Sequence, residues 1–583
     1  LLSPHIKLVA AFNHVHIFID PDPNPALSLG ERKRLFDLPR SSWADYDKKL
    51  ISKGGGVFNR SAKSIVVSKE MKQVFGIKQT AIEPNELIRL ILRARVDLLW
   101  SAGIGTFVKA HAETNAEVGD RTNDGIRINA KQLRCKAVAE GGNLGFTQLA
   151  RIEYSLNGGL IYTDFIDNSA GVSCSDKEVN IKILLNSVIA AGDLTVKQRN
   201  ELLAAMTNEV AQLVLRENYL QTNAISLAAS QSLRSVELHS RYINELERTG
   251  KIDRALEFLP NEKVFMEHKL MGKGLSNPGI ATLLCYSKIT LKDSILNSDV
   301  PEDPYLKQCL ISSFPKPLQE RFSKEMQQHP LKREIIATKL SNIIVNEMGF
   351  SFVYRMQDET GAPVSAIVRA YMITRSIMNM DVIWAQIEAL GSQIDAERLS
   401  EILMMYVRLL RRVARWFLRT QRMRLDITKA VETYGPAMQE LKNAMPDVLG
   451  EVHRAEYSKA FEDYLLMGIP KKLAHELTIT RSLFSAMDIL DVSQKQSIKI
   501  SKGAEIYFNI GEFLDLEWIR TQVIIHPTEN HWEALSREAL RDDLDWQQCQ
   551  LTAGIICFGE KKKDFMKSFE IWSESHTRLT ERW

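Results

Sequence analysis

Little in the chain's composition gives its chemistry away. The 583 residues include six cysteines, at 135, 174, 285, 309, 549 and 557, with no CxxC pair and no disulfide-like spacing. That excludes a disulfide scaffold and fits a reducing, cytoplasmic setting. No run approaches 18 uncharged apolar residues, which argues against a membrane-spanning helix, and no signal peptide opens the chain. Charge is nearly balanced: 75 Lys and Arg against 72 Asp and Glu, a formal net charge of +3. Such a chain has no electrostatic case for nucleic acid or an anionic membrane as a partner. The twelve histidines stand nowhere with Cys, Asp or Glu at metal-ligand spacing, so no metal site is expected. Missing too is a Gly-rich phosphate fingerprint; the GxG at 103–105 has no further glycine in register.

What is present is ordinary globular material, 45% hydrophobic and 25% charged. The length exceeds what one core organises, so two to four domains are expected. The informative stretch is 136–178, KAVAEGGNLGFTQLARIEYSLNGGLIYTDFIDNSAGVSCSDKE. It reads as a strand over 136–140, a turn at Gly141 and Gly142, and a helix carrying Leu149, Ile152 and Leu156 that stops at Asn157-Gly158-Gly159. A second strand follows over 160–165, then a polar turn opening another helix. Ligands of an open parallel sheet bind at the carboxyl ends of its strands, which would aim Asn143, Asn168, Ser173 and Ser175 at one crevice. The plainer reading stays open for each: Asn and Gly are ordinary turn residues, and Ser173 or Ser175 would serve as a helix cap.

Other segments fit the same sheet. Residues 6–12 form an apolar run suited to a buried parallel strand that ends at Asn13, where a dinucleotide fold would meet the adenosine ribose. His14 and His16, two apart, are either structural or close to that ribose. Gly54-Gly55-Gly56, with Arg60 and Lys63 nearby, is either an anion cradle or a mobile loop with solvated cations. Pro84 marks the first turn of a helix over 84–92, and 96–100 is a strand ending in Ser101-Ala102-Gly103-Ile104-Gly105-Thr106. From 182 onward the periods become helical, with breaks expected at 273–279, 298–304, 314–317, 359–363 and 434–436. Arg408, Arg411, Arg412, Arg415, Arg419 and Arg422 form a basic stripe, either an ion-paired or solvated helix face or a contact for an acidic metabolite, nucleic acid or an acidic partner helix, the first being favoured in a nearly neutral chain.

Segments 38–65 (LPRSSWADYDKKLISKGGGVFNRSAKSI) and 140–178, with 8–21, 84–106 and 118–136, resemble the C-terminal part of the large bacterial NAD-specific glutamate dehydrogenases. The likeness continues more weakly through 254–260, 273–289 and 331–342. The EGAN loop and NAGG turn of the common hexameric enzymes stand here as Glu140-Gly141-Gly142-Asn143 and Asn168-Ser169-Ala170-Gly171, with Ser175 at the position of a later serine. Gly142 replaces the usual Ala of that loop, and Ser169-Ala170 replaces Ala-Gly, all swaps among small residues.

The resemblance implies an NAD-dependent oxidative deamination of L-glutamate to 2-oxoglutarate and ammonia, by a cytoplasmic homo-oligomer. It assigns Asn13, Glu140, Gly141, Gly142, Asn143 and Asn168 to the coenzyme and Ser175 to the substrate carboxylate. It also implies that the pyrophosphate loop and the catalytic Lys and Asp precede this segment, so the chain alone would be an inactive fragment whose own catalytic residues are unknown. The fold expected is α/β: a partial Rossmann-like parallel sheet over 1–215, its N-terminal part missing, followed by an all-α part over 216–583. A dehydrogenase of another amino acid, or a non-catalytic helical scaffold for oligomerisation, are the alternatives.

Overall fold

The computed structural model describes residues 2–420, 425–526 and 531–559, together with 567, 571, 572 and 574. It is a mixed α/β structure, mostly helical, with its described strands in the first 140 residues. Two compact units divide it. One comprises the residues up to Tyr286 with Phe314–Arg321; the other comprises Ser287–Ser313 with the residues from Phe322 onward.

In the first unit β1 (Ala10–Phe12), β2 (His16–Ile19) and β3 (Gly56–Asn59) form an antiparallel sheet in that order. Side chains of β2 alternate between two cores. Ile17 and Ile19 join Leu87, Ile88, Val108 and Phe146, while Phe18 packs with Leu8, Leu35 and Tyr46. The parallel strand expected over 6–12 is therefore not formed. Three residues separate β1 from β2, whereas a parallel crossover takes about a dozen or more. Asn13 lies in the resulting hairpin turn, its Oδ1 accepting from the N–H groups of Val15 (2.8 Å) and His16 (2.7 Å). Arg60 donates to the Asn13 carbonyl at 3.2 Å. Gly55 answers to packing: a Cβ there would stand 2.5 Å from the Ile19 carbonyl oxygen.

Onward run α1 (Pro25–Asp37), a small antiparallel pair of β4 (Ile65–Val66) and β5 (Ala81–Ile82) around α2 (Lys69–Phe75), and α3 (Pro84–Leu92). Pro84 begins α3 as expected, and Leu87, Ile88, Ile91 and Leu92 bury its core face. Then come β6 (Leu98–Ser101), β7 (Val108–Lys109), α4 (Asn115–Val118), β8 (Ile128–Asn129) and β9 (Ala137–Glu140). Here the pairing is parallel: β6 with β9, from Leu98 opposite Ala137 to Ser101 opposite Glu140, and β7 with β8. After β9 come α5 (Gln148–Leu156), α6 (Asp164–Asp167), α7 (Ser169–Ala190) and α8 (Val196–Ser230), with Asn157 ending α5 and Gly158 at φ 90°.

The strand expected over 160–165 shrinks to one bridge. Leu160 exchanges hydrogen bonds with Val138 (2.9 Å) and Lys136 (3.1 Å), and the chain enters α6 at Asp164. Acidic side chains at a helix start favour that turn, and the Asp164 carboxylate is held by a buried arginine, described below.

The second unit is helical. Val364–Ile377 is buried around most of its circumference and packs against Ala396–Thr420 and Ile427–Val448. The breaks expected at 298–304 and 359–363 fall at helix ends. The break expected at 434–436 does not occur: Ile427–Val448 runs through Pro436 and Pro446. Proline removes a backbone donor there, and burial of Tyr434, Ala437, Met438, Leu441 and Met445 offsets the loss.

Candidate functional site

The loops that leave the carboxyl ends of β6 and β9 interlock. Gly142 N–H donates to the Ser101 carbonyl (3.0 Å), Phe107 N–H to the Gly145 carbonyl (2.9 Å), and Thr106 Oγ1 to the Leu144 carbonyl (2.8 Å). The approach is so close that a Cβ at Gly142 would lie 2.5 Å from the Gly103 carbonyl oxygen. Glycine at 142 is thus a packing requirement.

Beneath the loop lies a buried charge cluster. Glu140 has no exposed side-chain surface, and Arg151 of α5 grips it with two bonds, Nε to Oε2 at 2.6 Å and Nη2 to Oε1 at 3.0 Å. The same guanidinium reaches Asp164 Oδ2 at 3.1 Å. These carboxylates then hold loop backbone: Glu140 Oε1 accepts from Phe146 N–H (3.1 Å) and Asp164 Oδ2 from Leu144 N–H (2.9 Å). Asp167 Oδ2 accepts from Glu140 N–H at 2.9 Å. Burial pushes the Asp167 carboxyl up to about 6, with the charges of Glu140 and Asp164 adding to the rise. Burial also raises Glu140, against the lowering pull of Arg151.

Above the cluster two amides meet. Asn168, at the start of α7, donates from Nδ2 to Asn143 Oδ1 at 2.7 Å. The amino group of Asn143 and the carbonyl oxygen of Asn168 stay available, one donor beside one acceptor. Ser101 Oγ and Thr163 Oγ1, buried at the ends of neighbouring segments, have no hydrogen-bond partner. Asn218 of α8 fixes the approach to α7, donating to the Ile166 carbonyl (2.7 Å) and Ser169 Oγ (2.9 Å).

The expected site residues fare unevenly. Asn143 and Asn168 converge. Glu140 faces inward, where its carboxylate supports the loop. Asn13 lies in a hairpin turn of a different sheet, which its Oδ1 closes. Ser175 is exposed inside α7, on its second turn rather than its first, and is no cap. Seven residues are about two turns, so Ser175 stands on the side of α7 that Asn168 begins, roughly 10 Å along the axis. Sequence reasoning passed over Arg151, Asp164 and Asp167. Their signal was available: charges interrupting apolar runs, which folding must pair once it buries them.

Three arginines of the stripe are ion-paired within their own unit. On Ala396–Thr420, Arg412 meets Asp545, Arg415 meets Asp542 (2.8 Å) and Glu538 (3.3 Å), and Arg419 meets Asp542. All three carboxylates belong to the helix His531–Gly559. Arg422 lies outside the described residues. Among the described residues no group of three or more His, Cys, Asp or Glu could hold a metal, and no helix is long and apolar enough to cross a membrane.

The first unit is thus a mixed α/β structure in which a glycine turn and two amides gather at the carboxyl end of a parallel strand pair. Family comparison narrows the class. Residues 1–228 match the model of the bacterial NAD-glutamate dehydrogenase catalytic domain, and residues 272–583 match that of the glutamate dehydrogenase C-terminal region. The chain belongs to the bacterial NAD-glutamate dehydrogenase family. Among curated relatives, the NAD-specific glutamate dehydrogenase of Pseudomonas aeruginosa is 46% identical and that of Halomonas elongata 44%, both over the whole of this chain. The protein of the same name from Mycobacterium tuberculosis is 38% identical over 98% of the chain. The chain spans 36% of the length of each of these relatives.

Proposed function

We propose that the Asn143–Asn168 pair and the glycine loop beneath it hold the nicotinamide half of NAD, in a cytoplasmic, homo-oligomeric glutamate dehydrogenase that converts L-glutamate to 2-oxoglutarate and ammonia. On this reading β6, β9 and the Leu160 bridge are the parallel part of a Rossmann-like sheet, in a coenzyme region over 1–215 followed by helical structure over 216–583. The observation that carries the proposal is the amide pair. Its free donor and acceptor complement a carboxamide or a ribose diol.

Bound NAD supplies the hydride acceptor. The chain's own residues orient it. The Gly141–Gly142 backbone lines the coenzyme, while Glu140, Arg151 and Asp164 keep that backbone from moving. Ser175 donates its hydroxyl to the side-chain carboxylate of glutamate. Asn13 has no part in the scheme, its Oδ1 being engaged within the hairpin.

The test is made on the whole protein. Asn143→Ala and Asn168→Ala should each weaken NAD binding roughly 10-fold in titration calorimetry, as loss of about one good hydrogen bond implies, with melting unchanged. Glutamate turnover should fall in parallel. Unaltered NAD affinity in both variants would refute the assignment.

A further inference from the structure

Leu144 is out of place on local grounds. Its φ of 60° is left-handed, a region that L side chains rarely adopt and that glycine enters freely. Its side chain contributes little to the core, being 64% exposed. The loop is otherwise rich in glycine, at 141, 142 and 145, so neither the backbone nor the interior calls for leucine. The strain is nonetheless firmly held: Leu144 N–H donates to Asp164 Oδ2 (2.9 Å) and its carbonyl accepts from Thr106 Oγ1 (2.8 Å). Directly before it stands Asn143, bonded to Asn168. On the interlocked loop after β6, Ile104 is 90% exposed. Two large apolar side chains are thus presented to solvent, one next to Asn143 in the chain and one on the loop interlocked with it.

We infer that Leu144 is a coenzyme-contacting residue: its side chain packs on the apolar face of the nicotinamide riboside held by Asn143 and Asn168. The inference rests on the NAD reading proposed above. A leucine there covers the ring system and displaces water from it, which the glycine preferred by the backbone would not do.

Leu144→Gly separates this role from a structural one, because it relaxes the backbone while removing the contact. In the whole protein its melting temperature should match wild type or rise slightly, while NAD binding by calorimetry weakens about 10-fold, equivalent to about 1.4 kcal/mol. Leu144→Asn, which tolerates positive φ but is polar, should behave alike, and Leu144→Met should retain wild-type affinity. Asn143→Ala serves as the control for the underlying reading. If Leu144→Gly and Leu144→Asn bind NAD like wild type while Asn143→Ala does not, the inference falls and the NAD site stands. If all three bind like wild type, both fall. Early melting of Leu144→Gly and Leu144→Asn without weakened NAD binding would make Leu144 a structural residue and overturn the inference.

Discussion

Replacing Arg151 by Met tests whether the coenzyme loop rests on the buried charge cluster. The side chain of Arg151 is 5% exposed and that of Glu140 not at all, and Asp164 leans on the same guanidinium. Removing one partner from such a pair leaves an uncompensated buried charge and costs about 3–5 kcal/mol. At roughly 2–4 °C per kcal/mol for a unit of this size, the melting temperature should fall by ~6–20 °C. The loss should depend on pH. Without the lowering pull of Arg151, buried Glu140 holds its proton in the fold still more tightly than in the unfolded chain, so its folded pKa rises further above the unfolded one. Stability of the variant then falls as pH climbs from the ordinary carboxylate range of about 4 through the raised value. Its deficit should therefore be larger near pH 8 than near pH 5. Glu140→Gln combined with Arg151→Met removes both charges and should recover about half the loss. Denaturant titrations of the three variants at both pH values decide it. A deficit below ~1 kcal/mol, or a double variant no more stable than Arg151→Met, would refute the argument.

Ser175→Ala should leave melting unchanged, since Ser175 is exposed inside α7, yet lower kcat/KM for glutamate roughly 10- to 150-fold if its hydroxyl meets a carboxylate. Unchanged kinetics would remove it from the site. Gly142→Ala places a Cβ against the Gly103 carbonyl oxygen and should destabilise by about 1–3 kcal/mol, with weaker NAD binding; a neutral effect in both assays would contradict the close approach. Asp167, raised to about 6 from an ordinary 3.8, favours its protonated form in the fold, so wild-type stability is lost as pH rises through about 4 to 6. Asp167→Asn should therefore melt higher than wild type above pH 7, by at most ~3 kcal/mol for that gap, and the advantage should vanish near pH 4. A pH-independent difference would count against it. In the helical unit, Asp545 serves both Arg412 and Arg520, and Asp545→Asn should cost about 3 kcal/mol by chemical denaturation; a silent substitution would mean that the stripe is held elsewhere.

The segment 136–159 could be followed from its residues alone, because each boundary there has a local cause. An apolar run ends in Glu140, glycines 141 and 142 turn the chain, and Asn157-Gly158-Gly159 ends the helix, all as the structure has them. Pro84 marked a helix start, and the three- and four-residue periods marked the long helices. Local signals failed where partner choice decided. Residues 6–12 read correctly as apolar, but apolarity carries no strand direction, and pairing with β2 and β3 made β1 part of an antiparallel sheet. Leu160 kept its bridge to β9, while Arg151 drew Asp164 into a helical turn and cut the strand short. Pro436 ought to break a helix by propensity, yet the buried face of Ile427–Val448 prevailed. The site divides along the same line. Glu140, the two glycines, Asn143 and Asn168 were visible as motifs, since turns and strand ends are local features. That Asn143 would touch Asn168 across 25 residues, and that Arg151 would bind Glu140 and Asp164 beneath them, depends on non-local contacts. The charges beneath the loop were settled only when burial required each of them to find a partner.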